Sequence, residues 1–479
     1  MRAPVVLLVK SRSVVTKNAG VTPPLGLLYI AAQLRRQLGA QVRVLDALFE
    51  ADAPRAVCAA VRELQPDVVG VSALTAEAFL AQRIAAAVKA AQPGLPVVFG
   101  GPHPSADPEL ATADPNVDAA VIGEGEETLT ELTRLIVEEG PRWRAPATLR
   151  GVRGLAFRDG AGTTLSGPRP PIADLDSLAL PAWDLIDYRR FWTRQSMATA
   201  GIRPYLTLFT SRGCPYRCAF CHQLFGRAFR ARSPESVAEE VAQIGRLGAG
   251  HIEVLDDIAN FQRERFDRML EVLLERGLHP LLSFPNAIRA DLVEEGSLDL
   301  LKKVGVGEVS VAVETASERL QKFLGKNLSL DKTRRAIEAM AARRIFTRGF
   351  FMLGLPTETA AELRATIRFA HDSRLHLALF FTPNPYRNTE LYRMFERAGK
   401  LPKNVASIDY EYYGSPFNGS EVPDRLFRRL YRWAYYGFYF SPGRLWRIAR
   451  DRPFWSDIPT RAYSLLRNNA SFRRLQEAP

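Results

Sequence analysis

Cysteine is scarce in this sequence: 479 residues hold four, too few for a disulfide scaffold. Histidine is also rare, at six. Long apolar runs are missing. The opening run from Val5 to Val9 stops at Lys10, too short for the core of a secretory leader. No stretch approaches the roughly 18 uncharged apolar residues of a membrane-crossing helix, so a cytoplasmic protein is expected. No G-x-G-x-x-G follows the first apolar run, which weakens a nicotinamide or flavin reading. With 47% hydrophobic and 24% charged residues the composition excludes disordered and fibrous classes. The length allows two or three domains.

The net charge is +12 and it is unevenly spread. From Glu421 to Pro479 there are twelve arginines against five acids, so +7 of the +12 lies in the last 59 residues. Nucleic acid, a membrane surface, an anionic substrate or a plain solvated basic helix would each account for this.

The N-terminal third alternates short Val-rich runs with amphipathic segments. Strands are expected at Val5–Val9, Val42–Asp46, Val68–Ser72, Val97–Gly100 and Ala119–Ile122. Helices are expected at Leu25–Leu38, Ala53–Leu64, Ala76–Ala91, Pro108–Ala113 and Glu126–Glu138. The pattern implies an α/β, doubly wound parallel sheet, whose ligands sit beyond the carboxyl ends of its strands. The turns at those ends contain Pro24 and Gly26, Ser72 and Leu74, Gly100 and Gly101 with His103, and Glu124 and Gly125. Glycines there let a broad flat ligand approach the backbone, although each turn alone is equally an ordinary strand-to-helix connection. Cys58, among Val57, Ala59, Ala60 and Val61, reads as a small buried apolar residue.

From about 141 to 203 prolines interrupt the rhythm, which marks a connector, with a small hairpin around Gly154–Gly160. A strand at Tyr205–Thr210 then runs into Ser211-Arg212-Gly213-Cys214-Pro215-Tyr216-Arg217-Cys218-Ala219-Phe220-Cys221. Three thiolates spaced C-x3-C-x2-C on one loop can hold three irons of a [4Fe-4S] cluster and leave the fourth iron open. Zinc held by Cys214, Cys218, Cys221 and His222 is the competing reading, and unliganded thiols a third. Further strands are expected at His251–Leu255, Pro280–Phe284, Glu308–Val313, Thr347–Leu353 and His376–Thr382, with helices such as Pro234–Leu247 and Glu358–His371 between them. Six βα units suggest a partial barrel with its site at the carboxyl ends of the strands.

The cysteine loop, with Phe220 before its third cysteine, is similar to the signature of the radical S-adenosylmethionine (SAM) superfamily. The resemblance implies that polar groups at the strand ends, Asn286 among them, hold SAM: Asp256 or Asp257 the ammonium, Arg289 the carboxylate, Glu314 the ribose, and the Gly354 turn the adenine. For each of these a salt bridge or helix cap is the alternative. Ser72-x-Leu74 and Gly100-Gly101 match two of the three signatures of the cobalamin-binding domain of corrinoid enzymes. The third, Asp-x-His-x-x-Gly, is missing, since Ala47, Leu48, Phe49 and Glu50 follow Asp46. This implies a corrinoid without a histidine on its lower face.

The whole order resembles the cobalamin-dependent (class B) radical SAM enzymes. The resemblance implies a Rossmann-like cobalamin-binding domain over 1–140, a connector over 141–203, a partial (β/α)6 TIM-type barrel with a [4Fe-4S] cluster over 204–385, and a mostly helical, basic and aromatic region over 386–479. It further implies reductive cleavage of SAM to a 5′-deoxyadenosyl radical and methylation of an unactivated carbon of a natural-product, lipid or porphyrin-like molecule. Cyclisation or rearrangement without methyl transfer is the alternative in the family, and a non-catalytic cobalamin or cluster sensor the alternative outside it. A ferredoxin or flavodoxin is the expected electron donor. Between Leu426 and Arg450 aromatics and arginines interleave, which suits a cap on the barrel or a peripheral membrane contact better than nucleic acid.

Overall fold

A computed structural model describes residues 2–12, 20–160, 162–198, 204–401 and 417–452. The ends of the expected connector and of the C-terminal region lie partly outside these residues.

The Val-rich runs form strands because β-branched side chains suit a pleated surface covered on both faces. β1 (Val5–Lys10), β2 (Gln41–Asp46), β3 (Val68–Ser72), β4 (Val97–Gly100) and β5 (Ala119–Val121) pair in parallel in the order β2-β1-β3-β4-β5. Alternation along each strand sorts the core. Val6, Leu8, Val68 and Val98 pack with α1 (Leu25–Leu38), whereas Leu7, Val9, Val69 and Val71 pack with α2 (Ala53–Leu64) and α3 (Ala78–Ala91). Two short helices, α4 (Pro102–Ala106) and α5 (Pro108–Ala113), follow β4, and α6 (Gly125–Glu139) and α7 (Pro146–Leu149) follow β5. The hairpin foreseen in the connector, β6 (Leu155–Asp159) and β7 (Gly162–Leu165), adds antiparallel to β5, so these connector residues extend the first sheet. Cys58 departs from its expected burial. Val57, Ala60 and Val61 take the buried face of α2 and leave the thiol half-exposed.

The second sheet has six parallel strands: β8 (Tyr205–Leu208), β11 (His251–Val254), β12 (Leu281–Ile288), β13 (Val306–Glu314), β14 (Thr347–Met352) and β15 (Leu377–Phe381). A two-residue antiparallel pair, β9 (Ser211–Arg212) with β10 (Arg230–Ala231), brackets the cysteine loop. Helices α8 (Pro234–Arg246), α9 (Arg263–Glu275), α10 (Glu295–Val304), α11 (Glu318–Phe323), α12 (Leu330–Ala342) and α13 (Ala360–Asp372) lie between these strands. Among the described residues β8 and β15 do not pair, so the barrel is open. Inside it Arg348 meets Glu308 at 3.3 Å, and connector residues enter to meet buried barrel groups: Arg348 donates to the Met197 carbonyl and Ala198 N donates to Glu253.

β15 would leave an unpaired strand edge. After α14 (Glu390–Arg397), α15 (Asp424–Tyr439) covers that edge. Tyr431, Tyr435 and Tyr439 recur every fourth residue and so share one face of the helix. All three hydroxyls donate to edge carbonyls, and two accept in return: Ala378 N donates to Tyr439 Oη and Phe380 N to Tyr435 Oη. The next helix, α16 (Pro442–Asp451), is pinned by the buried Arg444, which donates to the carbonyls of Leu375, His371 and Ser373. Thus the aromatic stripe caps the barrel, with Arg425, Arg428, Arg429 and Arg432 on the solvent side. No helix among the described residues is long and apolar enough to cross a membrane.

Candidate active site

The cysteine loop is braced at both ends and in the middle. Gly213 has φ +85, and a Cβ there would lie 2.2 Å from the Ala228 carbonyl oxygen, so only glycine fits. Cys214 N donates to the Gly226 carbonyl and Cys221 N to the Cys218 carbonyl. Ala219 joins the loop to two neighbours, with N to the Leu324 carbonyl and O to the Leu391 amide. Gly325 passes so close that a Cβ would sit 2.7 Å from the Arg217 carbonyl oxygen. Burial raises the pKa of Cys214 and Cys218. Cys214 and Cys218 are half-buried and Cys221 is exposed. Bound iron would supply the positive charge that holds the three thiols as thiolates. Zinc fits poorly, since a single ion needs four donors about 2.0–2.3 Å away. His222 turns its Nε2 to the Arg387 carbonyl, at 3.2 Å.

The strand ends around this loop are irregular where polar groups are needed. The β12–β13 and β13–β14 registers slip near Ile288 and Glu314, and Ala287 and Glu314 have φ of +82 and +65. Non-glycine residues held there cost roughly 1–3 kcal/mol each, and such strain concentrates at functional sites. Asp256 is fully committed. It accepts from Thr210 N, Thr210 Oγ1 and Ser211 Oγ, and so fixes the strand end rather than facing a ligand. Its neighbour Asp257 is exposed and accepts only from Gly213 N, at 3.2 Å. Asn286 is exposed and donates to the Leu255 carbonyl. Arg289 lies 3.6 Å from the centre of the Tyr216 ring and pairs with Asp291, so it reaches the cluster loop already partnered. Glu314 pairs at 2.9 Å with Lys326, whose ammonium also faces the Phe220 ring. Sequence reasoning missed Lys326, because it stands on a loop after α11 with no motif around it. Gly354, at φ +94, is covered. A Cβ there would meet the Phe417 carbonyl oxygen and the Phe427 ring.

In the first domain the glycine turns divide into two kinds. At Gly26, Gly100 and Gly123 a Cβ would have nothing within 4 Å, and Leu74 and Phe79 nearby expose 47% and 40% of their surface. An open backbone rimmed by apolar side chains fits a broad, flat corrinoid. Pro24 starts α1, and Ser72 supports Gly101, whose Cβ would lie 2.8 Å from Ser72 Oγ. Leu74 N is fixed by Glu77, which pairs with Lys10. Two expected corrinoid contacts have other partners. Glu124 accepts from Arg212, Arg230 and Ile172 N, and at Gly125 a Cβ would lie 2.9 Å from the Ile30 side chain.

These pairs bring the carboxyl-end loops of the two sheets together. Arg212 and Arg230, which flank the cysteines, reach Glu124 and Glu126 of the β5–α6 turn. On the other side Arg387 pairs with Asp107 at 2.8 Å, and Asn388 donates to the Ala106 carbonyl.

Two family models match the chain in the same order: the B12 binding domain over residues 11–133 and the Radical SAM superfamily over 208–370. The chain belongs to the cobalamin-dependent radical SAM family. It is 29% identical over 437 residues to an uncharacterized methyltransferase of Pyrococcus horikoshii, covering 90% of this chain and 91% of the other. It is 28% identical over 413 residues to the anaerobic magnesium-protoporphyrin IX monomethyl ester cyclase of Rubrivivax gelatinosus, covering 85% and 72%. Its fold is shared with the radical SAM methyltransferase TsrM from Kitasatospora setae, at a TM-score of 0.68 and 19% identity over 84% of this chain and 76% of that one. As a cobalamin-dependent radical SAM enzyme the chain uses a [4Fe-4S] cluster, SAM and cobalamin. Membership displaces both the zinc and the sensor readings.

Proposed function

We propose that this enzyme methylates an unactivated carbon of a small-molecule substrate of natural-product, lipid or porphyrin-like chemistry. The observation that supports the reading is the meeting of the two loop sets, in which the β5–α6 turn and α4 of the first domain contact the segments flanking the cysteine loop and following β15. Similarity over nearly the full length to a methyltransferase supports it.

When bound, the reduced cluster supplies the electron for SAM cleavage and the corrinoid supplies the methyl group. The chain's residues do the rest. Cys214, Cys218 and Cys221 would hold three irons and leave one open to SAM. Asp257, Arg289, Asn286, Glu314 and Lys326 would orient SAM through its charged and hydroxyl groups. Gly26, Ser72, Leu74, Gly100 and Gly101 would seat the corrinoid. Arg212, Arg230, Glu124 and Glu126 seal the interface against water, which protects radical chemistry.

A cyclisation or rearrangement is the second reading, supported by the similarity to the Rubrivivax cyclase. A ferredoxin or flavodoxin would deliver the electron. Exposed Trp433, Phe440 and Trp446 beside the arginines of α15 would make a peripheral contact with an anionic membrane.

The test is anaerobic turnover of the reconstituted protein with dithionite, SAM and pools of candidate lipids, porphyrins and peptides. 5′-Deoxyadenosine together with a product one methyl heavier is expected. A product of unchanged carbon count favours cyclisation. An undiminished 5′-deoxyadenosine yield from Cys218→Ala would contradict the radical assignment.

A further inference from the structure

His103 is the first domain's single histidine, is 1% exposed, and among the described residues has no hydrogen-bond partner at either ring nitrogen. A buried polar group left unpaired costs about 1–3 kcal/mol, and in a folded protein it marks a missing ligand or water. The backbone around it is firmly placed. His103 N donates to the Ala73 carbonyl at 3.0 Å, and its own carbonyl accepts from Asp107 N at 3.0 Å. The residue is therefore tied to the turns that end β3 and β4, next to the open backbone of Gly100. Helix α4, which carries it, is in turn docked on the barrel through Ala106 and Asp107.

We infer that His103 is a hydrogen-bonding contact for the nucleotide arm of the corrinoid. The inference rests on the cobalamin assignment and adds a residue to it. A corrin macrocycle is a wide disc that would rest against the exposed Leu74 and Phe79. A ring covered as deeply as His103 is reached only by a narrow part of the ligand, and the arm is the narrow part. A neutral imidazole offers one donor and one acceptor, which suits the phosphodiester oxygens and ribose hydroxyls of that arm. The two unpaired nitrogens are then empty positions that the ligand fills.

The test uses the full-length, corrinoid-free protein and His103→Phe, which keeps a flat ring and removes both nitrogens. Three quantities are measured: the melting temperature without corrinoid, the Kd for cobalamin, and the Kd for cobinamide, which lacks the nucleotide arm. The corrinoid-free melting temperature is expected to hold or rise, because an unpaired buried polar group is lost. The cobalamin Kd is expected to rise about tenfold and the cobinamide Kd to stay unchanged. His103→Gln, which keeps a donor and an acceptor, should recover part of the cobalamin affinity. Equal weakening of both corrinoids would place the contact on the macrocycle and overturn the inference. An unchanged cobalamin Kd would show that a water is the partner. A nitrogen splitting in the Co(II) electron paramagnetic resonance spectrum that His103→Phe removes would make the residue a cobalt ligand instead. Wild-type protein that binds neither corrinoid would contradict the cobalamin assignment itself.

Discussion

Arg212, two residues before the first cluster cysteine, donates at 2.6 Å to Glu126 on the first turn of α6 in the corrinoid domain. The same guanidinium reaches Glu124 at 2.8 Å, and all three side chains are buried. The cysteine loop and the corrinoid domain therefore share one charged joint. A buried ion pair contributes little compared with well-packed apolar groups, but removing one partner strands the other at a cost of about 3–5 kcal/mol. Arg212→Met is expected to lose that much in denaturant unfolding of the cluster-free protein. It should also make less methylated product for each 5′-deoxyadenosine formed. A loss below about 1 kcal/mol with unchanged coupling would show that the joint does not set the interface.

The tyrosine ladder gives a second expectation. Tyr435 both donates to and accepts from Phe380, while Tyr431 donates only to the Phe380 carbonyl. Tyr435→Phe therefore strands the Phe380 amide at a cost of about 1–3 kcal/mol. Replacing Tyr431, Tyr435 and Tyr439 together with Phe exposes an unsatisfied strand edge, which should appear as faster aggregation in light scattering. Unchanged scattering would mean the edge is protected by other means.

A pH dependence follows from Glu358, which accepts from the amides of Gly354 and Leu355 and is fully buried. Burial pushes its pKa up to about 8. The folded state then holds a proton that the unfolded chain releases near its ordinary value of about 4.3. Stability from this group is present below that value and is lost as pH rises towards 8. Glu358→Gln keeps an acceptor for both amides and removes the titration. It should raise the melting temperature at pH 8.5 and leave it nearly unchanged at pH 5. An equal shift at both pH values would contradict this assignment.

The exposed aromatics Trp433, Phe440 and Trp446 are expected to bring the protein to vesicles of phosphatidylglycerol and phosphatidylcholine in a sedimentation assay. Salt should weaken the binding, because arginine–headgroup attraction is screened. Replacing Phe440 and Trp446 with Ser should abolish it. Binding to neutral phosphatidylcholine vesicles of equal strength would remove the role given to the arginines.

The strands were legible because periodicity and β-branched runs report burial on one or both faces, and all five N-terminal runs and all six barrel runs became strands. Cys214, Cys218 and Cys221 stand out in the sequence because their close spacing places them on one loop, the arrangement the proposed cluster needs. Side-chain partnerships were less so. Asp256 and Glu124 carry the right chemistry for ligands, yet Thr210, Ser211, Arg212 and Arg230 occupy them, and nothing local in the sequence announces pairs formed across 46 or 88 positions. Lys326 was missed for the same reason, and the vacant hydrogen-bonding positions of His103 exist only once the fold has closed around it.

The most direct test loads the protein with cobalamin carrying a 13C-methyl group and follows a single anaerobic turnover with unlabelled SAM, dithionite and the substrate pools. The label should appear as one 13C-methyl on carbon in a product formed together with 5′-deoxyadenosine. A product without the label, made while 5′-deoxyadenosine accumulates, would contradict methyl transfer from the corrinoid.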